Sequence, residues 1–262
     1  MKRIIVSLLA VLAISSSAFA GNTVIKKYDY RNFVGVSVKS AFHVVLNQGE
    51  TFDVSVEVPS EYLDFLSVTK QDGCLRVKFE DLPRKLRVFK NNKDFIVRIT
   101  MPELYSLSLA GASSLESNGK FTSTMHDIEV NCSGASHINS LDLKAPKIEI
   151  EIDGASRATV NADASDIDIE ISGASKLALS GETVSAEYDV EGASALDAKK
   201  MTASKVKIDQ GGASKSVIYV TQNLMVEIGG ASRCEYFAPD DVRLSSVNVT
   251  GASTLKKAKD KQ

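Results

Sequence analysis

The tripeptide Gly-Ala-Ser recurs eight times through the second half of this chain at a nearly constant spacing. A period of about 20 residues that holds over many repeats is typical of stacked supersecondary units and not of one globular core. Glycine takes positive φ without steric cost, so each tripeptide is predicted to form a sharp corner. The eight predicted structural corners begin at Gly111, Gly134, Gly154, Gly173, Gly192, Gly212, Gly230 and Gly251.

Alternating side chains precede each corner. The positions two, four and six before the glycine are mostly apolar, as in Ile152, Ile150 and Ile148, and the positions between them are polar. This period of two predicts a strand with one buried face. We expect the corner alanine to point inward and the corner serine to bond to nearby backbone or to the serine one coil away. The fold prediction is all-β, a single-stranded right-handed parallel β-helix (β-solenoid), with parallel connections favouring the right hand.

The chain is predicted to have four parts. Residues 1–20 combine a basic start, a short apolar run and an Ala-x-Ala end, which predicts a cleaved signal peptide and no membrane span in the mature chain. Residues 22–105 hold most of the aromatic side chains and irregular strands, and we expect hairpins that cap the solenoid. Residues 106–255 are the repeats, and residues 256–262 form a Lys-rich tail that discourages edge pairing. The chain is therefore expected to be exported, to the periplasm or the outer cell surface.

Composition argues against several kinds of function. With 31 basic and 33 acidic residues, the chain has no electrostatic case for binding nucleic acid. Cys74, Cys132 and Cys234 are too few and too far apart for a metal knuckle, and we predict no cofactor and no metal site. The last two occupy apolar repeat positions and are predicted to be core residues, although one disulfide stays open in an oxidising compartment.

Two columns of charged side chains are the candidate binding residues. The position after each tripeptide is basic or potentially basic in five coils, and the position three before each glycine is acidic in five consecutive coils. One hypothesis is that these columns bind cations or a polyanion such as an acidic glycan; the alternative is a solvated face that only confers solubility. The basic residues are His137, Arg157, Lys176, Lys215 and Arg233, and the acidic ones are Glu151, Glu170, Asp189, Asp209 and Glu227.

The chain also resembles a family of exported bacterial proteins, the auto-transporter adhesin head GIN domain family. The resemblance is carried by the signal peptide, the strand Phe33-x-x-Val-x-Val38, the segment Phe42-His-Val-Val-Leu-Asn-Gln-Gly49 and the serial Gly-Ala-Ser corners. It covers about Tyr28 to Leu255 and implies a right-handed β-helix, with no catalytic residues to carry over.

Even coil lengths leave no inserted loop to wall a catalytic cleft, and of the three histidines His43 and His137 lack an evident partner. We therefore predict a non-catalytic binding or adhesion scaffold whose flat face meets a glycan, protein or cell-envelope component. Alternatives are a structural protein that acts by self-association and, less favoured, a polysaccharide-active enzyme. The partner is unknown at this point, and a homodimer stays open.

Overall fold

The chain folds as a β-solenoid of about eight turns in the computed structural model, which describes residues 23–86 and 95–258. The fold class predicted from the repeat is confirmed. The predicted signal peptide, residues 87–94, and residues 259–262 of the Lys-rich tail lie outside the described residues. Two 3-10 helices, Ser60–Phe65 and Arg84–Leu86, accompany the strands β1 Thr23–Tyr28, β2 Gly35–Ser40, β3 His43–Gln48, β4 Asp53–Pro59, β5 Leu66–Gln71, β6 Cys74–Phe79, β7 Ile96–Met101, β8 Ser106–Gly111, β9 Ser114–Thr122, β10 Ile128–Cys132, β11 His137–Ile152, β12 Arg157–Ile171, β13 Lys176–Val190, β14 Ala195–Gln210, β15 Lys215–Ile228, β16 Arg233–Phe237, β17 Arg243–Val249 and β18 Thr254–Lys257.

Each coil stacks on the next through parallel strand pairs in register. In β11 and β12, for example, Ile148, Ile150 and Ile152 pair with the isoleucines at the same positions of the next coil. These three side chains are 1 % exposed or less. Since burying an isoleucine side chain stabilises a fold by roughly 1.5–3 kcal/mol, the inward columns supply the main stabilisation of the repeat.

The Gly-Ala-Ser corners have the backbone that the sequence predicts. All eight glycines have φ between +69° and +84°, and each packs against the corner of the coil before it. The inward residue, however, is serine: the corner serine is at most 2 % exposed in seven coils, whereas the alanine is exposed in all eight. The expectation that alanine points inward is wrong, because the alternation of the preceding strand continues through the corner.

The N-terminal section begins the solenoid out of sequence order. Strands β2 and β3 pair in parallel with β6 and β7 on one side and with β8 and β9 on the other. Ser40 takes the place of a corner glycine, with φ of 104°, and pairs with Gly111. The hairpin prediction holds for β5 and β6, whose turn contains Gly73, and is wrong for β2 and β3, which form a coil.

The N-terminal end of the stack is covered. Strand β4 pairs antiparallel with β7 and β1 pairs with β4, while β5 covers β6. A 3-10 helix follows Pro59, and its Tyr62 packs edge-on against Phe95 with ring centroids 4.8 Å apart. Phe42 and Phe79 stack beside them. The aromatic residues of this section thus close the solenoid core.

The last described coil has no such cover. Strand β17 pairs only with β15, and β18 pairs only with β16. Three apolar side chains of β17, Leu244, Val247 and Val249, are 45, 47 and 39 % exposed, although the residues beneath them in β15 are buried. Among the described residues, this coil therefore has one unpaired sheet edge and partly exposed core positions.

Candidate functional site

The histidines give no catalytic arrangement within the described residues. His43 lies 3.0 Å through Nδ1 from the Ser114 hydroxyl, His126 packs against the ring of Tyr105, and His137 lies in the basic column. No group of three or more His, Cys, Asp or Glu side chains in the described part could hold a metal ion. The three cysteines are unbonded thiols, with Cys132 and Cys234 fully buried in the core.

The acidic residues singled out from the sequence lie in one column. Strand pairing joins Glu151 to Glu170, Glu170 to Asp189, Asp189 to Asp209 and Asp209 to Glu227, all exposed. Neighbouring strands lie about 4.8 Å apart. Two like charges at that distance repel by about 0.9 kcal/mol even in bulk water. Splaying of the side chains into solvent reduces this cost.

Asp189 lies at the centre of the acidic column, where partial burial and the neighbouring acids both act on its carboxyl group. Burial first, and then the negative charges around it, raise the pKa of the Asp189 carboxyl above its usual range. The charges that contribute are those of Asp209, Glu191, Glu170 and Glu187, in that order. Both causes disfavour the carboxylate form.

A second acidic column, which the sequence reasoning missed, runs beside the first. Glu129, Glu149, Asp168 and Glu187 pair in register two positions nearer the start of each strand. Lysines offset this second column: Lys147 Nζ lies 2.6 Å from carboxylate oxygens of both Glu149 and Asp168, and Lys207 pairs with Glu187. The signal was present in the sequence, as acids five positions before four successive corner glycines, Gly134, Gly154, Gly173 and Gly192.

The basic column lies on the other side of the corner. His137 pairs with Arg157, Arg157 with Lys176, and Lys215 with Arg233. Ala195 interrupts the column between Lys176 and Lys215. Among the described residues, the ion pairs and side-chain hydrogen bonds include none of these basic side chains. Within the described part of the chain, the column therefore presents charges that form no ion pair.

A shallow depression of about 400 Å³, which we call the basic groove, runs along this column. Small side chains form most of its floor, because Thr159, Ala178 and Val217 occupy the same outward position in successive coils, where Asp197 is the exception. The groove is lined by the basic residues Arg157, Lys176 and Lys215, by the small residues Thr159, Ala178, Ala195 and Val217, and by Asp197. Sequence reasoning found the charges but not the groove, since its depth depends on small residues of four coils coming into register.

A larger depression, of about 560 Å³, lies on a third side of the solenoid. It mixes charges, with Lys144, Asp163 and Glu182 around an exposed Val184. The Asp163 carboxylate accepts from Lys120 Nζ at 2.7 Å. Because its charges are of both signs and partly paired, this depression favours no particular ligand.

A solenoid with long, flat, in-register charged faces defines a class of repeat proteins that present extended binding surfaces. The chain belongs to the family described as "Putative auto-transporter adhesin, head GIN domain", whose model matches residues 32–238. This confirms the resemblance drawn from the N-terminal strands and the corners.

Solved structures share the fold. A "putative adhesin" from Parabacteroides merdae ATCC 43184 is similar with a TM-score of 0.77 and 19 % identity over 91 % of this chain and 97 % of that one. A "Putative lipid binding protein" from Parabacteroides distasonis ATCC 8503 has a TM-score of 0.78 and 17 % identity, covering 91 % and 98 %. A search of curated proteins finds no match. Within the described residues, no helix is long and apolar enough to span a membrane.

Proposed function

We propose that the chain is an exported, non-catalytic binding scaffold of the adhesin type. Its flat solenoid faces would contact a glycan, a protein or another component of the cell envelope. The observation that carries the proposal is the pair of charged columns in register over at least five coils, since a repeat of this geometry matches an extended partner better than a small substrate. The names of the structural neighbours, adhesins and a lipid-binding protein, agree with a binding role.

Location and binding are tested together. Cells that express the full chain are fractionated, and intact cells are treated with protease to separate a periplasmic from a surface location. Purified protein is then incubated with isolated envelopes and sedimented, with heat-unfolded protein as the control. The proposal predicts an exported chain that sediments saturably with envelopes. Retention in the cytoplasm, or turnover of an envelope polysaccharide by the purified protein, would overturn it.

The open last coil favours one second candidate, a structural protein that assembles by self-association. In the described part of the chain, strand β17 is paired along one edge only and has three exposed apolar side chains at the same end. An exposed strand edge of this kind is a template for pairing with another chain. Sedimentation velocity separates the two candidates: a discrete monomer or dimer supports the binding scaffold, and end-to-end polymers support the structural protein.

A further inference from the structure

We propose that the basic groove binds a linear acidic polysaccharide, laid across the coils along the solenoid axis. This inference rests on the proposed function, and it names the face and the ligand class that the binding scaffold would use. Arg157, Lys176, Lys215 and Arg233 are the residues that would contact the acidic groups.

The basic charges along the groove are periodic, and among the described residues they form no ion pairs, although the Asp197 carboxylate also lines the groove. Strand register fixes adjacent basic residues about 4.8 Å apart, and Lys176 and Lys215 about twice that, on either side of Ala195. In the part of the chain that the structure describes, no carboxylate forms an ion pair with these side chains. A partner with anionic groups repeated along a chain therefore meets several cations at once.

The floor of the groove suits a sugar chain. Ala178, Ala195 and Val217 give it small apolar side chains between the cations. A pyranose ring has apolar C–H faces as well as polar edges, so the floor and the flanking cations match the two parts of an acidic sugar. Ligand sites generally combine apolar lining with a few placed polar groups in this way.

Nucleic acid fits the groove poorly. Duplex DNA carries a far denser line of charge, one for every ~1.7 Å of its axis, than one cation per coil. The acidic column on the adjoining face would repel a duplex wide enough to reach it. Single strands are held largely by base stacking on aromatic rings, whereas the lining of the basic groove contains no aromatic side chain.

The test is a titration of the purified chain with polygalacturonate, which carries carboxylates, and with dextran sulfate, which carries sulfates. Neutral dextran and duplex DNA are the comparison polymers. We expect binding to one or both acidic polysaccharides and none to dextran. With four cationic contacts at about 0.7 each, log K should fall with log salt concentration at a slope of roughly −3. The relative affinity for the two acidic polymers tells carboxylate from sulfate recognition.

Two matched sets of variants test whether the polysaccharide binds in the basic groove. Replacing Arg157, Lys176 and Lys215 with glutamine should lower the affinity about tenfold, at roughly twofold for each lost exposed contact. Replacing Lys27, Lys144 and Lys205, which are exposed and lie outside the groove, removes the same net charge and should change the affinity less than about twofold.

The gap at Ala195 provides a gain-of-affinity test that misfolding cannot imitate. Ala195→Lys makes the basic column continuous and should strengthen binding, while Ala195→Glu should weaken it. Equal loss in the two triple variants, or equally tight binding of duplex DNA, would overturn the proposal. If the protein binds neither acidic polymer but still sediments with envelopes, the proposal for the basic groove is overturned and the proposed scaffold function is retained. If it neither binds the polymers nor sediments with envelopes, both proposals are overturned.

Discussion

The stacked corners make a quantitative prediction, for which the chain provides its own control. Gly173 and Gly73 both have φ of +73°. A Cβ on Gly73 would meet nothing within 4 Å, whereas a Cβ on Gly173 would lie 2.4 Å from the carbonyl oxygen of Gly154. The same oxygen accepts a hydrogen bond from the Ala174 amide at 2.7 Å. The clash cannot be relieved without moving the neighbouring coil, since the oxygen belongs to the backbone of Gly154 and the position of the Cβ is fixed by the backbone of residue 173.

Gly73→Ala should cost about 1–2 kcal/mol, the usual cost of a left-handed backbone for a residue with a Cβ. Gly173→Ala carries that cost and a further ~2 kcal/mol from overpacking and the strained hydrogen bond. At roughly 2–4 °C per kcal/mol for a chain of this size, the midpoint of thermal unfolding should fall by about 4–8 °C more for Gly173→Ala than for Gly73→Ala. Circular dichroism of the two variants measures the difference. Equal midpoints would refute the claim that the corners pack directly on one another.

Three further predictions concern buried and charged groups. Ser136→Ala should leave the free energy of unfolding nearly unchanged, because the buried Oγ of Ser136 has no hydrogen-bond partner in the described structure. Ser214→Ala should lower the free energy of unfolding by about 1–3 kcal/mol, because the Oγ of Ser214 lies 2.7 and 3.1 Å from two backbone carbonyl oxygens that can accept its hydrogen bond. Denaturant titration of the two variants measures the difference. Asp189→Asn should raise the free energy of unfolding at pH 7, because the raised pKa of Asp189 means that the folded state disfavours its carboxylate form. The gain should vanish as pH falls below the unfolded pKa of about 3.9, which denaturant titrations of both proteins across this pH range measure. A thiol reagent should label Cys74 in the native protein but should label Cys132 and Cys234 only after unfolding, since burial shields these two thiols and raises the pKa of both to about 11. Rapid labelling of all three cysteines in the native state would contradict the packing.

The repeat could be predicted from the sequence because each coil contains the residues that determine its own strand and its own corner. Alternating isoleucines specify the inward face, and glycine at a fixed spacing specifies a positive φ that other residues rarely take. The orientation of Ser136 and its equivalents was missed, because a polar residue was not expected to continue the inward alternation. In the stacked column a buried serine can hydrogen-bond to the backbone of the adjacent corner, and residue type alone does not show this.

The N-terminal coil could not be recognised from the repeat, because two residues of its corner differ from the Gly-Ala-Ser pattern. Ser40 occupies the corner where later coils have glycine, and Phe42 occupies the place of the buried serine, pairing through its amide with the Ser113 hydroxyl. Its neighbours in space, β6 and β8, are separated from it in sequence by a cap and by another coil. A short-range pattern cannot specify that order, because it depends on which end of the stack the aromatic cap covers.

The candidate site was half visible in the sequence. The charged columns followed from residue type and spacing alone, since parallel stacking turns each position of the repeat into a line of side chains. Ala178 and Val217 gave no signal by themselves, because a small residue creates a depression only when its neighbours in adjacent coils are also small. The difference between the two acidic columns likewise depends on where the lysine side chains reach.

The central claim is that the ligand binds to the solenoid face that carries the basic groove, and lysine footprinting tests this claim most directly. The protein is acylated with and without a saturating acidic polysaccharide, and modification of each lysine is quantified by mass spectrometry. The structure predicts that Lys176 and Lys215 become protected while Lys144 and Lys205 keep their reactivity. Protection of Lys144 or Lys205 with Lys176 and Lys215 unchanged would contradict it.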